Sequence, residues 1–161
     1  MIFFLNFLAI SCLGLIVYQD YKSREVYWFL FPLLGLLLSV LFFKMTTMPI
    51  VLISILLNTI LISLVIILLY LYTKVVSKTT FLNHSFGLGD VLFFYAFSLG
   101  FPSITFIILF TFSILFSTLL YFSFKRKMTI ESVPLAGYMS LFLIFVLSYS
   151  LFYNSPILYI H

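Results

Sequence analysis

Long apolar runs separated by short polar knots dominate this chain, over roughly 1–19, 26–43, 49–72, 91–101, 103–124 and 134–153. A helix that crosses a bilayer needs about 20 apolar residues, and four of the runs reach that length directly. The difficult stretch is Val91 to Phe124, 34 residues without a charge. As one helix it would rise about 51 Å against a ~30 Å hydrocarbon core, so it must split. Gly100-Phe101-Pro102-Ser103 is the break, because proline removes a helical donor and disfavours the helical conformation in the residue before it.

Charge tests the split independently, since Lys and Arg collect in short cytoplasmic loops. With the break, Lys22, Arg24, Lys74, Lys78, Lys125, Arg126 and Lys127 share one side and only Lys44 lies opposite. Without it, the last cluster changes sides and the bias vanishes. The pattern therefore predicts an all-α integral membrane protein of six transmembrane helices with both termini on the outer side. Its cytoplasmic loops would be 20–25, 73–90 and 125–133, and residues 1–161 would form one polytopic domain.

Composition narrows the function. Of 161 residues, 65% are apolar and 21% aromatic, and the charges are only eight Lys or Arg and four Asp or Glu. Soluble domains are about 25% charged, so a soluble enzyme, a nucleic-acid binder and a disordered chain are all excluded. The net charge of +4 is the membrane's orientation code and not a nucleic-acid footprint. The single cysteine, Cys12, excludes disulfides within the chain and any cysteine-based zinc site. Leu8 to Cys12 faintly resembles a lipoprotein cleavage site, but the first basic residue is Lys22, so the opening run is expected to be a retained helix.

Acids at a membrane boundary are costly, which makes them candidates for chemistry. There are two aspartates: Asp20 in Gln19-Asp20-Tyr21-Lys22-Ser23-Arg24, and Asp90 in Phe86-Gly87-Leu88-Gly89-Asp90-Val91. The topology puts both at the cytoplasmic face at similar depth. Two carboxylates held close cannot easily both ionise, so one keeps a proton while the other acts as base. Such a pair can activate a water against an amide and protonate the leaving nitrogen, with no metal or cofactor. Singly, Asp90 suits a helix N-terminus and Asp20 could pair with Lys22 or Arg24. As a pair they are harder to explain structurally, because a helix C-terminus is the unfavourable end for Asp20. Gly87 and Gly89 lack Cβ atoms, so substrate backbone can approach closely or the chain can turn sharply into the helix.

Gly87-Leu88-Gly89-Asp90 resembles the Gly-x-Gly-Asp motif of intramembrane aspartyl proteases, and Asp20 with Arg24 resembles the first catalytic motif of type IV prepilin peptidases. Glu131-Ser132-Val133-Pro134-Leu135-Ala136-Gly137 is loosely similar to that family's final motif. Small size, six spans and the Asp20-to-Asp90 spacing favour this family over the signal-peptide-peptidase and presenilin group, whose first aspartate follows Tyr where Gln19 stands here. Two departures touch substrate preference: Val26-Tyr27-Trp28 replaces the family's Ile-Pro-Asn, and Leu92 stands where a lysine is frequent.

The resemblance implies a dyad of Asp20 and Asp90, with Gly87, Gly89 and Arg24 shaping the site. It also implies a pilin-like or pseudopilin-like precursor as partner, removal of its basic leader, and residence in the cytoplasmic membrane of a prokaryote. The cysteine-rich segment of the larger bifunctional members is absent, so no zinc is expected. Two alternatives stand beside this: a signal-peptide-peptidase-like protease cutting within the bilayer, and a non-enzymatic protein whose acids form a proton or ion site.

The remaining polar residues have plainer explanations. Arg24 either holds the Asp20 loop or meets lipid phosphate. Lys125-Arg126-Lys127 suits an anchor on anionic head groups, and Glu131 a neutralising or helix-starting role. His84 reads as a solvated side chain. Asn6 and Asn58 should hydrogen-bond between helices, and Trp28 should sit in the interfacial aromatic belt.

Overall fold

Apolar sequence of this density has one economical fold in lipid. With no water to bond exposed N–H and C=O groups, the backbone must satisfy itself within helices. The computed structural model, described for residues 1–77, 87–124, 134–153 and 156–159, is helical throughout, with no strand among the described residues. Its helices are α1 (Ile2–Lys22), α2 (Leu30–Met45), α3 (Met48–Tyr72), α4 (Leu88–Ser98), α5 (Ser103–Phe124) and α6 (Leu135–Tyr153). A single π-helical turn, Thr73–Ser77, extends α3, and a 3₁₀ turn, Pro156–Tyr159, follows α6.

Four segments have the length and hydropathy to cross a membrane: Ile2–Lys22, Met48–Val75, Ser103–Ser123 and Leu135–Phe152. They mark a multi-pass membrane protein. The other two helices are shorter, 16 residues for α2 and 11 for α4. At 1.5 Å per residue these rise about 24 and 17 Å, less than the hydrocarbon core. The second helix starts later than its apolar run because Tyr27 N–H is taken by Gln19 Oε1 at 3.0 Å, which holds the connection against α1.

In packing, α1 lies along α6 and α2, α2 lies along α4, and α5 covers the other side of α6. The buried centre is made of Leu13 and Ile16 from α1, Phe31 and Leu38 from α2, Phe93 and Phe97 from α4, and Met139 and Leu143 from α6. Gly35 lets α2 approach α4 closely: a Cβ there would stand 3.3 Å from the Ala96 Cα. The outward face of α3, with Leu52, Leu56, Ile60, Leu64 and Ile67, is exposed and apolar throughout, as lipid contact requires.

The expected break is present, for α4 ends at Ser98 and α5 begins at Ser103. Gly100 allows the turn to press on α2, where an added Cβ would meet the Leu38 Cβ at 2.9 Å. The freed carbonyls are not left bare. Asn58 of α3, 1% exposed, donates its amide to Ser98 O at 3.1 Å and Phe101 O at 2.9 Å. Around the turn the aromatic rings interlock, with Phe97 edge-on to Phe101 at 5.7 Å and to Phe106 at 5.5 Å. Beyond the short α4, Tyr159 packs against the turn, stacked on Phe101 at 5.9 Å and on Phe42 at 6.0 Å.

The two intramembrane asparagines differ. Asn58 bonds between elements as expected, whereas Asn6 donates to Ile2 O of its own helix at 3.3 Å, because its neighbourhood on α1 is open. Trp28 is exposed.

Candidate active site

Three helix ends meet at one end of the bundle. Asp20 lies in the last turn of α1 and is buried, with 8% of its surface exposed. Asp90 lies in the first turn of α4. Between them stands the start of α6, following Pro134, whose carbonyl accepts the Tyr138 N–H at 3.1 Å and so sets the first turn.

The first turn of any helix has N–H groups with no partner inside the helix, and its dipole favours negative charge. Here those donors go to the two aspartates. Ala136 N–H donates to Asp90 Oδ1 at 2.8 Å, and the next amide, Gly137 N–H, donates to Asp20 Oδ2 at 2.6 Å. Adjacent helical amide nitrogens are about 3 Å apart, so the two gripped oxygens lie within roughly 8 Å of each other. The charge of Asp20 is felt at Asp90, although the two acids are 70 positions apart in the chain. This also explains how Asp20 tolerates the C-terminus of its own helix: the N-terminus of another compensates it.

Asp90 is held from a second side. The fourth helix begins at Leu88, earlier than the apolar run, with Gly87 extended at φ −72° and ψ 139° as its cap. Asp90 is then the third helical residue, and its carboxylate also accepts the backbone amide of Gly87, the back-reaching half of a capping box. A Cβ on Gly87 would lie 3.0 Å from Asp90 Oδ2. Gly89 does something different: a Cβ there would meet the Phe31 ring at 3.3 Å, so this glycine serves the contact of α4 with α2.

Arg24 follows the end of α1 with φ 59°, a left-handed conformation rarely adopted by a residue with a side chain. Its charge acts on both Asp20 and Asp90 and on Tyr138. The site thus gathers Asp20, Asp90, Gly87 and Arg24, while Gly89 lies one packing layer away. Lys78, His84, Phe86, Lys125, Arg126, Lys127, Glu131, Ser132 and Val133 lie outside the described residues. Among the described residues, no group of three or more His, Cys, Asp or Glu is placed to hold a metal ion.

Sequence reasoning missed two contributors. The amides of Ala136 and Gly137 leave no trace in residue type, since every residue but proline carries one. Only their position beside Pro134, which starts a helix, hints at free donors. Tyr138, buried, shares the electrostatic surroundings of Asp20, Arg24 and Tyr21, and nothing in its spacing marks it.

Comparisons of the chain with protein-family models, with curated proteins and with solved structures give no match.

Proposed function

We propose that this protein is a membrane aspartyl endopeptidase that resembles the type IV prepilin peptidases and removes the basic leader of a pilin-like precursor. One observation carries the reading: the chain's two aspartates, distant in sequence, are held on consecutive amides of one helix N-terminus. A purely structural acid needs one such donor, and nothing in packing requires two acids to share one helix end.

In the proposed reaction the pair holds one proton between them. The ionised carboxylate takes a proton from water as the water oxygen bonds to the scissile carbonyl carbon. The protonated carboxyl supplies a proton toward the leaving nitrogen as the C–N bond breaks. The products are a carboxylic acid and an amine, and the dyad ends with one proton again. Arg24 would hold the negative charge of the pair in place throughout.

The same proposal gives six crossings, α2 and α4 included, with both termini outside and the dyad at the cytoplasmic face of a prokaryotic inner membrane. Charge supports this orientation: Lys22 ends α1, Arg24 and Lys74 follow the ends of α1 and α3 on the dyad side, and Lys44 lies in the last turn of α2 on the other. A precursor's basic leader would meet its apolar helix at that boundary.

The test is coexpression with a panel of pilin-like precursors, reading the new N-terminus of each product by mass spectrometry. Asp20→Asn and Asp90→Asn should each abolish the cut while the protein still inserts. Normal cleavage by either variant would refute the dyad. A cut in mid-helix would favour the signal-peptide-peptidase-like alternative, and proton flux in liposomes without proteolysis would favour the ion-site one.

A further inference from the structure

Gly137 occupies the third position of α6, where a helix gains nothing from glycine. Its backbone has an ordinary negative φ, so conformation does not demand it, and alanine is the better helix former. The closest obstacle to a side chain is Asp20. A Cβ on Gly137 would stand 2.8 Å from Asp20 Oδ2, 3.1 Å from its Cβ and 3.4 Å from its Cγ, and these are its three nearest atoms. The Asp20 Cβ is fixed to the α1 backbone, so the carboxylate cannot simply swing aside while keeping its 2.6 Å bond to the Gly137 N–H. The bare backbone and the donated proton therefore act on the same carboxylate.

We infer that Gly137 is a positioning residue of the dyad: its missing side chain and its N–H together set where Asp20 stands relative to Asp90, which the preceding amide holds. This rests on the proposed peptidase chemistry for its meaning, but its geometry can be read separately. Gly137 touches no reacting atom and acts only through Asp20. The neighbouring Ala136 donates its own amide to Asp90 Oδ1 at 2.8 Å.

The experiment compares Gly137→Ala with Gly14→Ala, which places the same methyl in open space on α1, the helix that carries Asp20. Two quantities are measured on the full chain: kcat and KM for a cleaved precursor, and the infrared C=O stretch of the protonated carboxyl, followed with pH and assigned by its loss in Asp20→Asn. Gly137→Ala should lower kcat about a hundredfold with KM little changed, as a displacement near 1 Å does. It should also move the frequency and titration midpoint of the Asp20 band, while Gly14→Ala moves neither. Should Gly137→Ala fail to insert, replacing residue 137 by its α-hydroxy analogue removes the donated proton without adding an atom, and the same shift in the band is expected. An unmoved Asp20 band in the inserted variant would overturn the inference, whatever happened to kcat. Failure of the wild type to cut any precursor would count against the peptidase reading, and the band would still decide the role of Gly137.

Discussion

The two ends of α4 meet the same physical problem and solve it with opposite chemistry. At its C-terminal end the helix stops inside the protein, and its freed carbonyls need a donor. Asn58 provides one, a neutral amide that gives two hydrogen bonds and can do nothing else. Near its N-terminal end the surplus is of donors, from α4 and from α6, and the acceptors supplied are carboxylates. A serine or asparagine oxygen would satisfy an amide equally well. Using two ionisable acids, at the higher cost of burying charge, is what separates a site from a splice.

The contrast is sharpest in the effect of removing each partner. Asp20→Asn or Asp90→Asn keeps a hydrogen-bond acceptor of the same size. Each should therefore leave thermal stability in detergent nearly unchanged while precursor cleavage falls by about 10²–10⁴-fold or beyond detection. Asn58→Leu should do the reverse. It leaves two buried carbonyls without a donor, so the protein should lose about 1–3 kcal/mol in an unfolding titration, with turnover per folded molecule retained.

Gly100→Ala forces a methyl against Leu38 and should cost about 1–3 kcal/mol by overpacking, again without changing the cut position. Asn6→Leu should shift stability by less than about 0.5 kcal/mol, because its amide bonds only to its own helix. If Asn58→Leu silenced cleavage while leaving stability intact, the division between the two ends of α4 would be wrong.

Much of the architecture was legible in the sequence because it depends on quantities that residue types report directly. Apolar run length gave the helices, Pro102 gave the break, and the scarcity of acids singled out Asp20 and Asp90. The shortness of α2 and α4 was visible in their runs, but where each helix starts was harder to read, since α2 begins only after Tyr27 N–H has bonded to Gln19. The start of α4 at Leu88 depends on Gly87 acting as cap, which composition alone does not reveal. The grip on the two aspartates was hidden for a deeper reason: it is made by backbone amides, common to nearly all residues. Even the resemblance through Pro134 to Gly137 suggested a segment and not a contact. Tyr159 went unremarked because a four-residue 3₁₀ turn has no periodicity to detect.

The contact between Gly137 and Asp20 joins residues 117 positions apart. A ribosome feeding this chain into a bilayer inserts Asp20 and then Asp90 long before it has made the amides that hold them. Until the sixth helix arrives, the two acids are only polar defects on separate helices. The order of synthesis thus works as a timer: on the proposed peptidase reading, competence to cut would come only with the sixth helix, after the bundle around it exists.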